Sequence, residues 1–268
     1  MKKTLIYLIL AVVMCSFASA VPDGGEIFYK FSDNLLDDWN SNDGTGSSIS
    51  YSSSYPTFNL SGDGSPKSVN FATAGAYVSD GDITIQDNIT LSYWYNGGID
   101  TTSQRFIAKG NTGSVYFNDI MLTRYSTTDK IDVIFGCGGT SFNRFRTTTS
   151  PLSNTGWHNV VLVINTVDDV EFYHDGVLQA DSQESDLCDS FYDSSDDLML
   201  AADEYYGSGN DYNGLMDSFQ FYTIALNQTK VSQIYNYGVV NDAVIPGAPT
   251  ESTESTALVE QVGDVTFS

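Results

Sequence analysis

Short runs rich in Val, Ile, Tyr, Phe and Thr recur along this chain, separated by clusters of Gly, Asn, Asp and Ser. Alternation with a period of two marks strands, because successive side chains point to opposite faces of a pleated sheet. The pattern predicts strands over 26–31, 68–72, 76–80, 89–96, 104–110, 121–126, 130–137, 141–148, 157–165, 169–176, 198–202 and 216–226. Within "ITLSYWY" and "SFQFYTI" apolar and polar residues alternate, as expected where one sheet face is buried and the other wet. Asp175-Gly176 divides "VEFYHDGVLQA" where a type I′ hairpin turn needs positive φ at both central residues. One short helix is expected over "NQTKVSQIYNYG", with Asn227 capping its start, Val231, Ile234 and Tyr235 on one face, and Gly238 ending it. About a dozen strands and a single helix predict an all-β fold: a two-sheet antiparallel jelly-roll sandwich with one short C-terminal helix.

The ends of the chain have a different character. Residues 1–20, "MKKTLIYLILAVVMCSFASA", combine Lys2 and Lys3, an apolar run and an Ala-x-Ala site, and read as a signal peptide. No later segment approaches the roughly 18 uninterrupted apolar residues of a membrane span. Residues 241–268, rich in Pro, Thr, Ser and Glu, read as a disordered tail or linker, which leaves 21–240 as one folded domain. The expected location is secreted or cell surface. The formal charge of −23 argues against nucleic acid, whose phosphates demand clustered Lys and Arg, and supplies oxygen ligands for hard cations. Cys137 and Cys188 remain after the leader, and an oxidising compartment permits a disulfide between them; a buried and an exposed free thiol is the alternative.

Several spaced segments resemble the laminin-G-like, concanavalin A-like jelly-roll domains. "GWHNVVLVINTVDDVEFYHDGVLQ" is similar to their Trp-His strand and following Tyr-x-Asp-Gly hairpin, and "YNGLMDSFQFYTIALNQTKVSQIYNYG" to their closing strand and terminal helix. "FYKFSDNLLDDWNSNDGTGSSIS", "SVNFATAGAYV" and "ITLSYWYNGG" match earlier strands in the same order, so the resemblance runs from about residue 27 to 238. It implies a domain that binds carbohydrate or an extracellular, cell-surface protein, as in lectins and cell-adhesion modules, often with calcium at one sandwich edge. The same sandwich also hosts glycoside hydrolases, so fold alone does not decide function.

Candidate chemistry follows from two places. Because the resemblance sets the first and last strands side by side, Asp38, Asn42 and Asp43 of the opening loop can meet Asp217 and form a calcium site. An Asx-rich turn bonded to its own backbone is the alternative, and Ala72-Thr73 stand where relatives commonly carry Asp-Gly. The loop "DEYYGSGNDYNG" carries sugar-binding residue types in Asp203, Glu204, Tyr205, Tyr206, Asn210, Asp211 and Tyr212, aromatic faces beside planar polar groups, against the alternative of a partly packed tyrosine loop. Trp39 is the tryptophan expected to be exposed, with Trp94 and Trp157 in strands. His158 and His174, the only histidines, are read as structural, and a His-rich zinc site is set aside. No strand presents the paired carboxylates that glycosidases need; in "DDVEFYHD" Tyr173 takes the place of the second Glu. The expected function is a secreted, non-catalytic binding module, with an architectural surface or envelope component as the rival and a glycoside hydrolase as the third reading.

Overall fold

The computed structural model describes residues 21–56, 67–73, 75–98, 103–110, 119–125, 128–138, 141–153, 155–202 and 210–240. Its first strands are β1 (Gly25–Tyr29), β2 (Thr45–Ser47), β3 (Ser50–Ser52), β4 (Ser68–Asn70) and β5 (Tyr77–Ser79). The longer ones are β6 (Ile89–Asn96), β7 (Gln104–Lys109), β8 (Ile120–Tyr125), β9 (Lys130–Gly136), β10 (Phe142–Thr147) and β11 (Trp157–Thr166). The chain continues through β12 (Asp169–His174), β13 (Val177–Gln179), β14 (Asp181–Ser185), β15 (Leu198–Leu200) and β16 (Leu215–Tyr222) to helix α1 (Gln228–Tyr237).

The strands form two antiparallel sheets. The front sheet runs β13-β12-β11-β6-β16-β4-β3, with β1 also paired to β16, and the back sheet runs β14-β10-β9-β8-β7-β15-β5-β2. The jelly-roll sandwich is thus the observed architecture, and its opening and closing strands are neighbours, with Tyr29 opposite Phe219. Alternate residues of β6 (Ile89, Leu91, Tyr93, Tyr95) turn inward and meet Phe106, Phe135, Phe172 and Phe219 in one core between the sheets. Burying such rings is the main favourable term for a two-layer fold of this kind.

The front sheet departs from the one-wet-face expectation. Thr90 and Ser92 of β6 are buried as completely as the apolar residues beside them, and Trp94 nearly so. Helix α1 and the residues leading into it lie over that outer face, where Val231, Ile234 and Leu226 pack on Val161, Val163 and Tyr222. Thr90 is bonded to what covers it: its Oγ1 donates to the Ile224 carbonyl at 2.9 Å and accepts from Leu226 N at 3.0 Å. Trp39 is covered too, with its ring 5.1 Å from Phe28 and 5.0 Å from Tyr222, so the expectation of an exposed indole is corrected. Its loop folds back onto the same face and adds the ring to the apolar layer around α1.

The caps are where the sequence placed them. Asn227 Oδ1 accepts from Lys230 N at 3.0 Å, and Gly238 closes the helix at φ 79° with its N–H on the Ile234 carbonyl. Asn227→Ala leaves an orphan N–H in the first turn and is expected to cost about 1 kcal/mol in urea unfolding, with α1 still docked. Asp175 and Gly176 take φ 50° and 73°, as the hairpin requires. Short β2 and β3 inside the opening segment and polar β14 ("DSQES") carry no hydrophobic period and were not expected. Cys137, just past β9, is bonded to Cys188 with Cα atoms 5.5 Å apart.

Candidate functional site

Among the described residues no helix lies over the outer face of the back sheet, and an open groove of about 210 Å³ lies there. It is built by strand alternation: while Leu122, Val133 and Phe145 turn into the core, Thr123, Asp132 and Arg144 turn out. Its apolar floor is Met121, Ile134 and Phe142, which pack with Ala108 into a small cluster of their own. One wall is polar. Arg144 and Arg146 of β10 both reach across to Asp132 of β9, with Arg144 Nε 2.9 Å and Arg146 Nε 3.0 Å from its carboxylate oxygens. Their guanidinium carbons stand 4.8 Å and 3.4 Å from the centre of the Tyr125 ring. Asp132 is fully buried beneath them, so two cations share one desolvated carboxylate and one aromatic face. Every arginine of this acidic chain is gathered here, with Arg105 and Arg124 among the lining residues.

The predicted sugar loop enters the groove at its end. Asn210 lines it, and its carbonyl accepts from Arg105 N at 2.8 Å; Asp211 forms an isolated bridge with Arg105. Tyr212 turns the other way into the core, 5.0 Å from Phe106 and 6.4 Å from Phe71, with its hydroxyl donating to the Leu215 carbonyl at 2.9 Å. It is closed to a ligand. Asp203, Glu204, Tyr205 and Tyr206 lie outside the described residues.

The four carboxylate and amide residues expected to share a calcium ion are not brought together as a ligand set. Asp38 Oδ2 pairs with Lys30 at 3.2 Å, Asp43 Oδ1 accepts from Asp37 N at 2.9 Å, and the Asn42 amide donates to Glu26 at 3.2 Å. Asp217 lies in β16 opposite Trp94, buried, accepting from Ser218 N at 2.7 Å. The adjacency of β1 and β16 holds, and each of these side chains has a partner within the protein. The centre of the opening loop is Asp37, which the sequence reading did not single out. Its Oδ1 accepts from Phe28 N and Trp39 N, and its Oδ2 from Asn40 N and Asn42 N, at 2.9 to 3.2 Å. Around Asp37 the loop has the backbone bonding of an Asx-rich turn.

Sequence reasoning also missed the encounter of the two histidines. The β11–β12 pairing and the Asp-Gly turn place His158, His174 and Asp175 with their ligating atoms within 4.8 Å of one another. Burial holds His174 below the ordinary histidine pKa, opposed by the Asp175 charge. The groove's arginine wall had one legible signal, the alternation in "FNRFRT", which places Arg144 and Arg146 on one face.

No curated protein matches this chain with significance. Among solved structures, it is similar to domain 4 of AbnA, a GH43 extracellular arabinanase from Geobacillus stearothermophilus, in complex with arabinotriose: TM-score 0.57, 14% identity, covering 79% of this chain and 98% of that one. The botulinum neurotoxin serotype D ligand binding domain in complex with N-acetylneuraminic acid aligns at TM-score 0.58 and 14% identity over 80% of this chain and 51% of that one. The Trypanosoma rangeli sialidase in complex with 2,3-difluorosialic acid aligns at TM-score 0.57 and 15% identity over 81% and 33%. The chain thus spans all but the edges of the arabinanase domain, half of the toxin domain and a third of the sialidase. At these identities the likeness is one of fold. The model of the concanavalin A-like lectin/glucanases superfamily matches residues 70–232, and the chain belongs to that superfamily.

Proposed function

We propose that this protein is a secreted, non-catalytic carbohydrate-binding module whose sugar site is the groove on the outer face of the back sheet. The observation that carries the reading is the wall-and-floor chemistry of that groove. Pyranose and furanose rings present C–H faces to apolar surface and hydroxyls to planar polar groups. Met121, Ile134 and Phe142 offer the first, and Arg144 and Asn210 the second. A guanidinium has five donors, so Arg144 keeps some beyond the two nitrogens bonded to Asp132. The groove is smaller than the roughly 300–1,000 Å³ of enclosed small-molecule sites, which suits contact with one or two units of a longer chain. The bound sugars in the arabinanase domain and the toxin domain add support at the level of ligand class. The non-catalytic reading is supported by Asp132 being the single carboxylate in the described lining, where glycoside hydrolysis uses a pair.

A glycan array that includes arabino-oligosaccharides and sialosides, run with and without EDTA, tests the proposal. Retention of at least one glycan is expected, and it is expected to persist in EDTA because the acidic loop's side chains are already bonded within the protein. For the best-retained glycan, Arg144→Ala and Arg105→Ala should each weaken binding by at least about tenfold, or roughly 1.4 kcal/mol. Asp38→Ala, on the opening loop, should change it by less than about twofold. A protein that retains no glycan, or whose arginine variants bind undiminished while circular dichroism shows a native fold, overturns the assignment. Loss of binding in EDTA restores a calcium requirement.

A further inference from the structure

We propose that His158, His174 and Asp175 form a binding site for a divalent transition metal, with zinc as the natural probe. The site lies in the front sheet, away from the groove's strands, and does not depend on the sugar reading. Three atoms converge: His158 Nδ1 is 2.8 Å and His174 Nδ1 3.5 Å from the same oxygen, Asp175 Oδ2. The two imidazoles lie nearly parallel, 26° apart with centroids at 5.1 Å. Zinc–nitrogen and zinc–oxygen bonds of about 2.0–2.2 Å put neighbouring tetrahedral ligands about 3.4 Å apart. The His174 pair already has that spacing, and the His158 pair needs to open by roughly half an ångström.

Proton placement strengthens the case. His158 Nε2 sits 3.0 Å from the Thr155 carbonyl, which can only accept, so Nε2 carries a hydrogen. In a neutral ring Nδ1 is then a bare lone pair facing a carboxylate oxygen, a repulsive contact. Something positive has to stand between them, either a second proton or a cation. His174 has Nε2 3.2 Å from the Tyr95 hydroxyl, which can donate to it, and Nδ1 turned to Asp175. Both rings have the outer nitrogen held by a hydrogen-bond partner and the inner one facing Asp175, the arrangement by which proteins orient metal-binding histidines. The carboxylate is fixed as well: Asp175 Oδ1 accepts from Asn159 N at 2.9 Å, which leaves Oδ2 for the ion. The turn beneath it is clamped, since a Cβ on Gly176 would come within 3.0 Å of the Tyr235 ring. Two imidazoles and one carboxylate, with part of each side chain open to solvent, leave room for water as a fourth ligand.

The test uses tag-free, chelator-stripped protein, since a histidine tag would itself bind zinc. Isothermal titration with zinc chloride should give one site with a Kd of micromolar or tighter, and cobalt(II) should give a visible d–d band. Zinc should raise the melting temperature. His174→Gln and His158→Gln should each weaken zinc by more than the roughly 10–100-fold that loss of an outer hydrogen-bond partner costs, and abolish the cobalt band. Asp175→Asn keeps the turn, because asparagine tolerates positive φ and can still accept from Asn159 N, yet it removes the charged ligand. It should fold normally and show no zinc-dependent shift in melting. A wild-type Kd weaker than about 100 μM, or equal zinc binding by wild type and Asp175→Asn, overturns the proposal and assigns the trio to a proton-held hairpin pin.

Discussion

Cys137→Ser/Cys188→Ser is expected to lower the unfolding free energy by about 4 kcal/mol. The bridge closes a loop with a sequence separation of 51, and loop-closure entropy for that length in the unfolded chain gives this magnitude. The same segment has a second hold. Asn143 holds the incoming segment by accepting from Leu187 N and Cys188 N and donating to the Cys188 carbonyl at 3.2 Å. The bridge thus fastens the segment after β14 to the end of β9, the strand that carries Asp132 and Ile134. Urea unfolding of the double variant beside the wild type measures the effect. Sugar binding, where detected, should fall with it, because β9 and β10 form one wall of the groove. An unchanged midpoint would mean that hydrogen bonds around Asn143 suffice.

Asp217→Asn should stabilise the protein at pH 7 by up to about 4 kcal/mol and make little difference at pH 3. Burial pushes the Asp217 carboxyl to about 8 from 3.8, against the Ser218 backbone N–H and hydroxyl, which favour the charged form. The sign follows from proton counting. Below about 3.8 the carboxyl is protonated in both the folded and the unfolded chain and nothing is lost. Between there and about 8 the unfolded chain releases the proton while the fold retains it, so this group's contribution falls by about 1.4 kcal/mol per pH unit. Asparagine keeps an oxygen for Ser218 and removes the titration. Urea titrations of both proteins at pH 3, 5, 7 and 8 should give a difference that grows with pH; a constant difference rules out a neutral buried carboxyl. Asp80 is raised to about 8 in the same way, by burial first and then by the charges of Asp197 and Glu26, so the wild type should favour mildly acidic conditions.

Both predictions rest on side chains whose behaviour depends on what covers them, and the same dependence divides the readable from the unreadable in this chain. Most strand positions, the helix with its Asn227 and Gly238 caps, and the Asp175-Gly176 turn could be read directly. Each is a short-range matter of alternation, capping or backbone φ, settled within a few residues. The pairing of Cys137 with Cys188 was left open by composition, and the geometry of β9 against the segment after β14 closed it.

Other features depended on distant partners. The polar residues of β6 promise water by their chemistry, but α1 arrives from the far end of the chain and covers them. Trp39 and Tyr212 sit in loops rich in polar residues, yet each finds an aromatic cluster to fill. In the acidic opening loop, Asp37 bonds the backbone amides around it and Asp38 pairs with Lys30. Conversely, the arginine wall and the histidine pair required strand register to bring separate segments together.

The sequence by itself determined a two-sheet β sandwich with a capped terminal helix, because periodicity and turn chemistry are local and the hydrophobic core follows from them. Only the tertiary structure decided which sheet face the helix covers, which carboxylates are buried and where two histidines meet. Those outcomes depend on burial and on distances between residues far apart in the chain, and a linear pattern does not contain them.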